Sequence, residues 1–168
     1  MQPLADRLRP KTIDDMVGQS HIIGKNKIIN KLLENNTIPN MILYGPPGTG
    51  KTTLANIIAN CTNKKYVKLN AVNCGVKEIK EVIDANKQDL FSYNGILLML
   101  DEIQALNRKQ QQSLLEVIED GSVTLIASTA DNPYFVVYKA ILSRSTIFEF
   151  KTIEKNDILK GLQRAVDK

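Results

Sequence analysis

The sequence contains no tryptophan, a single histidine and only two cysteines, and aromatic residues make up just 5% of it. Each scarcity excludes something. Cys61 and Cys74 lack CxxC spacing and are too few for a disulfide framework, so they read as free thiols in a reducing cytosol. His21 has no ligand partners at metal spacing, which leaves it a surface residue or a capped core residue. With so few rings, no aromatic-basic stripe points to base stacking. No apolar run approaches the ~18 residues that a membrane helix needs. The opening Met1-Gln2-Pro3-Leu4-Ala5-Asp6 lacks the basic-then-apolar order of a signal peptide. The expected location is therefore cytoplasmic.

What is present is ordinary for a soluble globular chain. There are 168 residues, 43% hydrophobic and 24% charged. That suits one domain with a sizeable core. The net charge of +4 permits contact with nucleic acid without requiring it.

Periodicity places the elements. Residues 1–24 have little, and read as an arm with short helical pieces. Lys25–Asn35 carries a helical apolar face at Ile28, Ile29, Leu32 and Leu33. Met41–Tyr44 is a short apolar run, a buried strand. Thr52–Cys61 is a helix, Tyr66–Leu69 a second strand, and Lys77–Leu90 a helix with Ile79, Val82 and Ile83 facing inward. Ile96–Leu100 is apolar throughout, the mark of a strand covered on both faces. Gln110–Glu119 is helical and Val123–Ala127 is a fourth strand. Phe135–Leu142 reads as one helix and Ile147–Phe150 as a fifth strand. Asn156 or Asp157 is the expected cap of a last helix. Such alternation predicts an α/β fold with a parallel sheet.

The strongest chemical signal is Gly45-Pro46-Pro47-Gly48-Thr49-Gly50-Lys51-Thr52. It fits GxxxxGK[ST] and lies between a strand and a helix, the context of a P-loop. Glycines let backbone N–H groups turn inward around phosphate oxygens, and the helix start adds its positive end. Lys51 is expected to reach the β- and γ-phosphates of ATP. Thr52 is expected to ligate Mg2+, with the neighbouring Thr53 also at the nucleotide. The apolar strand 96–100 ends in Asp101-Glu102. Asp101 is the expected second holder of Mg2+, through water, and Glu102 the expected polariser of the attacking water. An adjacent pair of acids favours hydrolysis over transfer to a second substrate. Thr129, after the fourth strand, is placed to contact the γ-phosphate or the water, or is a polar turn residue. Arg144 is an arginine finger, in cis or in trans, or a surface salt bridge.

With these pieces in order, the sequence resembles an AAA+ ATPase core. Leu8-Arg9-Pro10-Lys11 through Val17-Gly18-Gln19 resembles the segment before the P-loop in the clamp-loader clade. More narrowly, Pro3–Pro10, Asn70-Ala71-Val72, Gly75–Ile79, Glu119–Ile126 and Asp131–Phe135 resemble the replication-associated recombination protein A family. That family is also called MgsA, and its eukaryotic relative is the Werner-helicase-interacting protein. The resemblance implies a five-stranded parallel sheet of order 5-1-4-3-2 covered by helices on both faces. It implies an adenine-binding arm over 1–24, a core over 25–153 and the first helix of a truncated lid over 154–168. Val17 and Gly18 would then lie against adenine, Thr129 would be sensor 1, and Arg144 would reach the ATP of a neighbouring subunit. Asn70 would hold Glu102 in an inactive rotamer, unless it is only a strand-end turn residue. Two departures stand out: Gln104 where the family often has His, and Ser145 where Cys is usual.

The same resemblance implies a DNA-dependent ATPase of replication-fork maintenance and recombination, associated with the bacterial nucleoid. Its implied partners are single-stranded, gapped or forked DNA, a single-strand-binding protein, and further copies in a tetramer. Arg108 and Lys109 would face nucleic acid, or form a solvated basic turn. With the lid incomplete, the chain by itself is expected to hydrolyse ATP weakly or not at all. Two other functions stay open. One is a nucleotide-gated subunit without hydrolysis of its own, and the other is a Holliday-junction branch-migration motor.

Overall fold

The computed structural model describes residues 3–88 and 92–167. Five strands form one parallel sheet in the order β2-β3-β4-β1-β5, the order that the resemblance implied. They are β1 (Asn40–Tyr44), β2 (Lys65–Asn70), β3 (Ile96–Asp101), β4 (Val123–Thr129) and β5 (Ser145–Glu149). The helices are α1 (Leu4–Arg7), α2 (Ile28–Glu34), α3 (Lys51–Cys61), α4 (Val76–Asn86), α5 (Arg108–Ile118), α6 (Pro133–Val136), α7 (Lys139–Ser143) and α8 (Lys155–Val166).

Period-two alternation splits the core into two layers. Leu98, Leu100, Leu125 and Ala127 point to one face, against Ile79 and Ile83 of α4, Leu114 of α5 and Ile141 of α7. Leu97, Met99, Ile126, Met41 and Leu43 point to the other, against Ile29 of α2 and Leu54 and Ile58 of α3. The apolar run of β3 is fully buried, because its two neighbours and both helical layers enclose it. Each such Leu or Ile contributes about 1.5–3 kcal/mol relative to exposure. Among the described residues no helix is long and apolar enough to cross a membrane.

Several boundaries differ from the periodicity reading. β4 runs on through Ser128 and Thr129, because these pair with Leu43 and Tyr44 of β1. β5 starts at Ser145, opposite Asn40. α4 stops at Asn86, and the expected helix end at Leu90 lies outside the described residues. The single helix expected over 135–142 is two, α6 and α7, joined by extended residues Val137 and Tyr138. The cause is the buried Gln111 side chain. Its amide donates to Val136 O (2.9 Å) and Leu106 O (3.0 Å), and its Oε1 accepts from Tyr138 N (2.7 Å). Those bonds replace the ones a continuous helix would make.

Asn156 and Asp157 do not cap the last helix. It begins at Lys155, with Glu154 in the cap position and no side-chain cap bond. Asp157 sits in the first turn, where its charge suits the helix dipole. α8 buries no residue and leaves Ile158, Leu159, Leu162 and Val166 exposed. Polar contacts tie it to the arm: Arg164 donates to Asp15 O and Leu8 O and pairs with the Asp15 carboxylate at 3.7 Å. His21 is an exposed residue bonded to Glu149 O.

Candidate nucleotide site

The loop between β1 and α3 starts where the backbone leaves no room. Gly45 has φ 141°, and a Cβ there would lie 2.0 Å from Phe150 O. Only glycine fits. Lys51 opens α3 and folds back, donating to Gly45 O at 2.7 Å and Pro46 O at 2.8 Å. Thr49, buried, braces the loop by donating to Pro46 O at 2.8 Å. Burial pushes the Lys51 ammonium below its ordinary value, against the opposing pull of Glu102 and Asp101.

A cavity of about 390 Å³ opens over this loop. Pro47, Gly48, Gly50, Lys51, Thr52 and Thr53 line it, facing Asp101, Glu102 and Asn70. Gly45, Pro46 and Thr49 form the frame behind. Asp101 ends β3 and is engaged on both oxygens. Its Oδ1 accepts from Ser128 Oγ (2.7 Å) and Thr52 Oγ1 (3.4 Å), and its Oδ2 pairs with Lys68 Nζ at 3.5 Å. The Thr52 hydroxyl and the Asp101 carboxylate therefore stand side by side at the phosphate loop, 3.4 Å apart. Hard oxygen donors beside a phosphate cradle fit Mg2+.

Glu102 lies in the left-handed region (φ 59°), uncommon for a residue with a Cβ. Its carboxylate is bonded by the Gln104 amide. Asn70 lines the same cavity, but its Oδ1 accepts from Val72 N at 2.9 Å. The amide that holds Glu102 is thus that of Gln104, and Asn70 closes a strand-end turn.

Thr129 is fully buried, and its hydroxyl accepts from Asp131 N at 3.1 Å. It does not line the cavity. Alternation along β4 turns Ser128 to the site and Thr129 away, so the hydroxyl beside Asp101 belongs to Ser128. Arg144 lies between α7 and β5, pairs with Glu119 at 3.6 Å and donates to Ala140 O at 3.1 Å. Ser145 is paired with Asn40 and Glu149 with Tyr44. Arg144 is therefore at the amino-terminal edge of the sheet and the P-loop at the carboxyl edge, about 15 Å away along the strands.

Val17 and Gly18 lie in a second cavity of about 590 Å³ between the arm and α8. Gly161 of α8 packs there, and a Cβ on it would touch Val17 at 3.6 Å. Met16 lines this cavity and abuts Gly50, whose Cβ would stand 3.0 Å from its methyl.

Four residues escaped the sequence reading. Gln19, buried and at φ 57°, donates to Thr49 O (3.2 Å) and Lys151 O (2.7 Å) and accepts from Lys151 N (2.9 Å). It joins the arm to the P-loop and to the exit of β5. Lys68 and Ser128 flank Asp101, and period two in β2 and β4 is the signal that could have placed them. Arg9 reaches the nucleotide cavity from the arm, which no local pattern announces.

Fold and loop together define a P-loop nucleotide-binding protein of the α/β class. The chain belongs to the AAA family, the ATPase family associated with various cellular activities, whose model matches residues 41–153. It is 42% identical over 165 residues to Replication-associated recombination protein A of Haemophilus influenzae, covering 98% of this chain and 37% of that protein. To the protein of that name in Escherichia coli K12 it is 39% identical over 166 residues, covering 99% and 37%. ATPase WRNIP1 of Dictyostelium discoideum is 39% identical over 98% of this chain and 19% of its own length. Among solved structures, a RuvB variant of Thermotoga maritima superposes with a TM-score of 0.77 at 26% identity, covering 96% of this chain and 55% of that one. The chain thus spans well under half the length of these curated relatives.

Proposed function

We propose that the chain binds ATP with Mg2+ and hydrolyses it at a site completed by the Arg144 of a neighbouring copy, as the motor part of a protein acting on DNA in replication and recombination. The observation that carries this reading is the placement of Asp101 and Glu102 at the end of β3, facing Lys51 and Thr52 across one cavity.

The residues divide the work. Backbone N–H groups of the loop and the α3 terminus receive the phosphates. Lys51 exchanges its carbonyl partners for phosphate oxygens. Thr52 and Asp101 would hold Mg2+, with Ser128 orienting the carboxylate. An ion held there would supply positive charge against that of the phosphates. Glu102, released by Gln104, orients a water and accepts its proton as the oxygen attacks the γ-phosphorus and ADP leaves. Val17 and Gly18 offer an apolar wall for adenine. Arg144 is too far along the sheet to serve its own P-loop, which supports a role in trans. DNA, replication and recombination rest on the similarity to Replication-associated recombination protein A.

A mixing experiment tests the trans site. Arg144→Ala is expected to abolish turnover and leave ATP binding nearly intact. Glu102→Gln is expected to do the same. Mixed, they restore activity, since one copy supplies Glu102 and the other Arg144. Equal loss of binding and turnover in Arg144→Ala, or no recovery on mixing, overturns it. A second reading, nucleotide gating without hydrolysis, is favoured by one observation, the Gln104 bond that occupies Glu102. Turnover by the protein, measured with and without single-stranded and gapped DNA, excludes it.

A further inference from the structure

The carboxyl ends of β3 and β4 lead to a second place, on the sheet face opposite α3. There the start of α5 meets α6 and the Val137–Tyr138 link around a cavity of about 400 Å³. Arg108 and Lys139 line it, with the rings of Tyr134, Phe135 and Tyr138, and no carboxylate does. The whole sequence has four Phe, five Tyr and no Trp, so a third of its aromatic rings meet here. Phe135 is 87% exposed and Tyr134 64%. A single exposed ring is unremarkable on a protein surface, but adjacent exposed rings on a one-sign cavity point to a ligand.

We propose that this cavity binds single-stranded nucleic acid, with bases stacked on Phe135 and Tyr134 and phosphates held by Arg108 and Lys139. The chemistry matches on both counts. Every base has a π-face, so exposed rings bind strands without regard to sequence, while cations follow the backbone. A duplex keeps its bases stacked inside and offers the rings nothing. The Arg108 guanidinium already stands 5.6 Å from the Tyr138 ring centre, a cation–π contact that holds it in place. Gln111 fixes the floor through its bonds to α6 and the link. The rings are far apart in sequence from Arg108, which is why no stripe is visible there. The proposal rests on the nucleic-acid part of the proposed function and is independent of hydrolysis.

The test is fluorescence anisotropy of the chain with a labelled oligo-dT of about 16 nucleotides and with a duplex of equal length. Oligo-dT binding that weakens with salt is expected. Phe135→Ala and Tyr134→Ala should each weaken it about tenfold, with duplex binding and melting temperature unchanged, and Phe135→Trp should restore it. Arg108→Ala should weaken it and reduce the salt dependence. If oligo-dT binds but the ring variants bind equally well, this site is wrong and the nucleic-acid reading survives. If neither DNA binds at low salt, both fail. If Phe135→Ala changes the oligomeric state by light scattering and leaves DNA affinity intact, the face is a contact between copies and the proposal is overturned.

Discussion

Replacing Gln19 with alanine should loosen the nucleotide site from behind. The side chain is 5% exposed and makes three hydrogen bonds at 2.7, 2.9 and 3.2 Å, to both backbone groups of Lys151 and to Thr49 O. Truncation strands those three backbone groups. A buried unsatisfied group costs about 1–3 kcal/mol. Two of the three are only partly buried and can recruit water, so the low end applies, about 3 kcal/mol in sum. A chain of this length loses about 2–4 °C of melting temperature per kcal/mol, which gives a fall of about 6–12 °C. Calorimetry or thermal circular dichroism reads it directly. The left-handed φ of Gln19 supplies a control: alanine keeps that backbone cost and glycine relieves about 1 kcal/mol of it, so Gln19→Gly should be at least as stable as Gln19→Ala. A fall below about 2 °C for alanine, or a glycine variant clearly worse, would refute the account of Gln19 as the clamp.

Three further outcomes are expected. Gly45→Ala should fail to accumulate as folded protein, or melt far below the parent, because its Cβ would stand 2.0 Å from Phe150 O; circular dichroism checks this. Lys68→Met should lower the Mg2+ concentration needed for tight binding of a fluorescent ATP analogue. Removing the ammonium 3.5 Å from Asp101 frees that oxygen, and since the Lys68 side chain is 45% exposed the shift should be modest, about two- to fivefold. Burial pushes the Asp15 carboxyl up, but hydrogen bonds from Thr12 and the Lys11 and Thr12 backbone, with the Arg164 charge, hold it below its ordinary 3.8. A depressed carboxyl contributes stability above its unfolded value that is lost as pH falls through the folded one. The stability gap between the parent and Asp15→Asn should therefore be constant above pH 5 and close below about pH 4, read by urea titration.

The sequence made the sheet and its P-loop readable because both depend on local pattern. Five apolar residues at 96–100 suffice for a central strand, and GxxxxGK[ST] encodes a backbone shape. Asp101 and Glu102 follow from where that strand ends. Less accessible were features set by register and by partners distant in sequence. Thr129 and Ser128 differ by one position, and pairing with β1 decides which hydroxyl faces Asp101. Gln111 breaks the expected helix at 135–142 by offering bonds that no periodicity announces. Gln104, and not Asn70, reaches Glu102 across a turn whose left-handed backbone no motif encodes. Three rings and two cations gather in one cavity only once α5 and α6 are packed together.

The polar ties of Arg164 bear on the order of folding. They join residues 149 and 156 positions apart, nearly the whole chain, and closing so large a loop costs entropy before any contact rewards it. α8 buries nothing to offset that cost early. The two ends should therefore dock after the sheet has formed and open first, as one cooperative unit. Amide exchange would then be fastest, and equal, in α8 and the arm up to Asp15, and removing the first dozen residues would be felt at the far end of the chain.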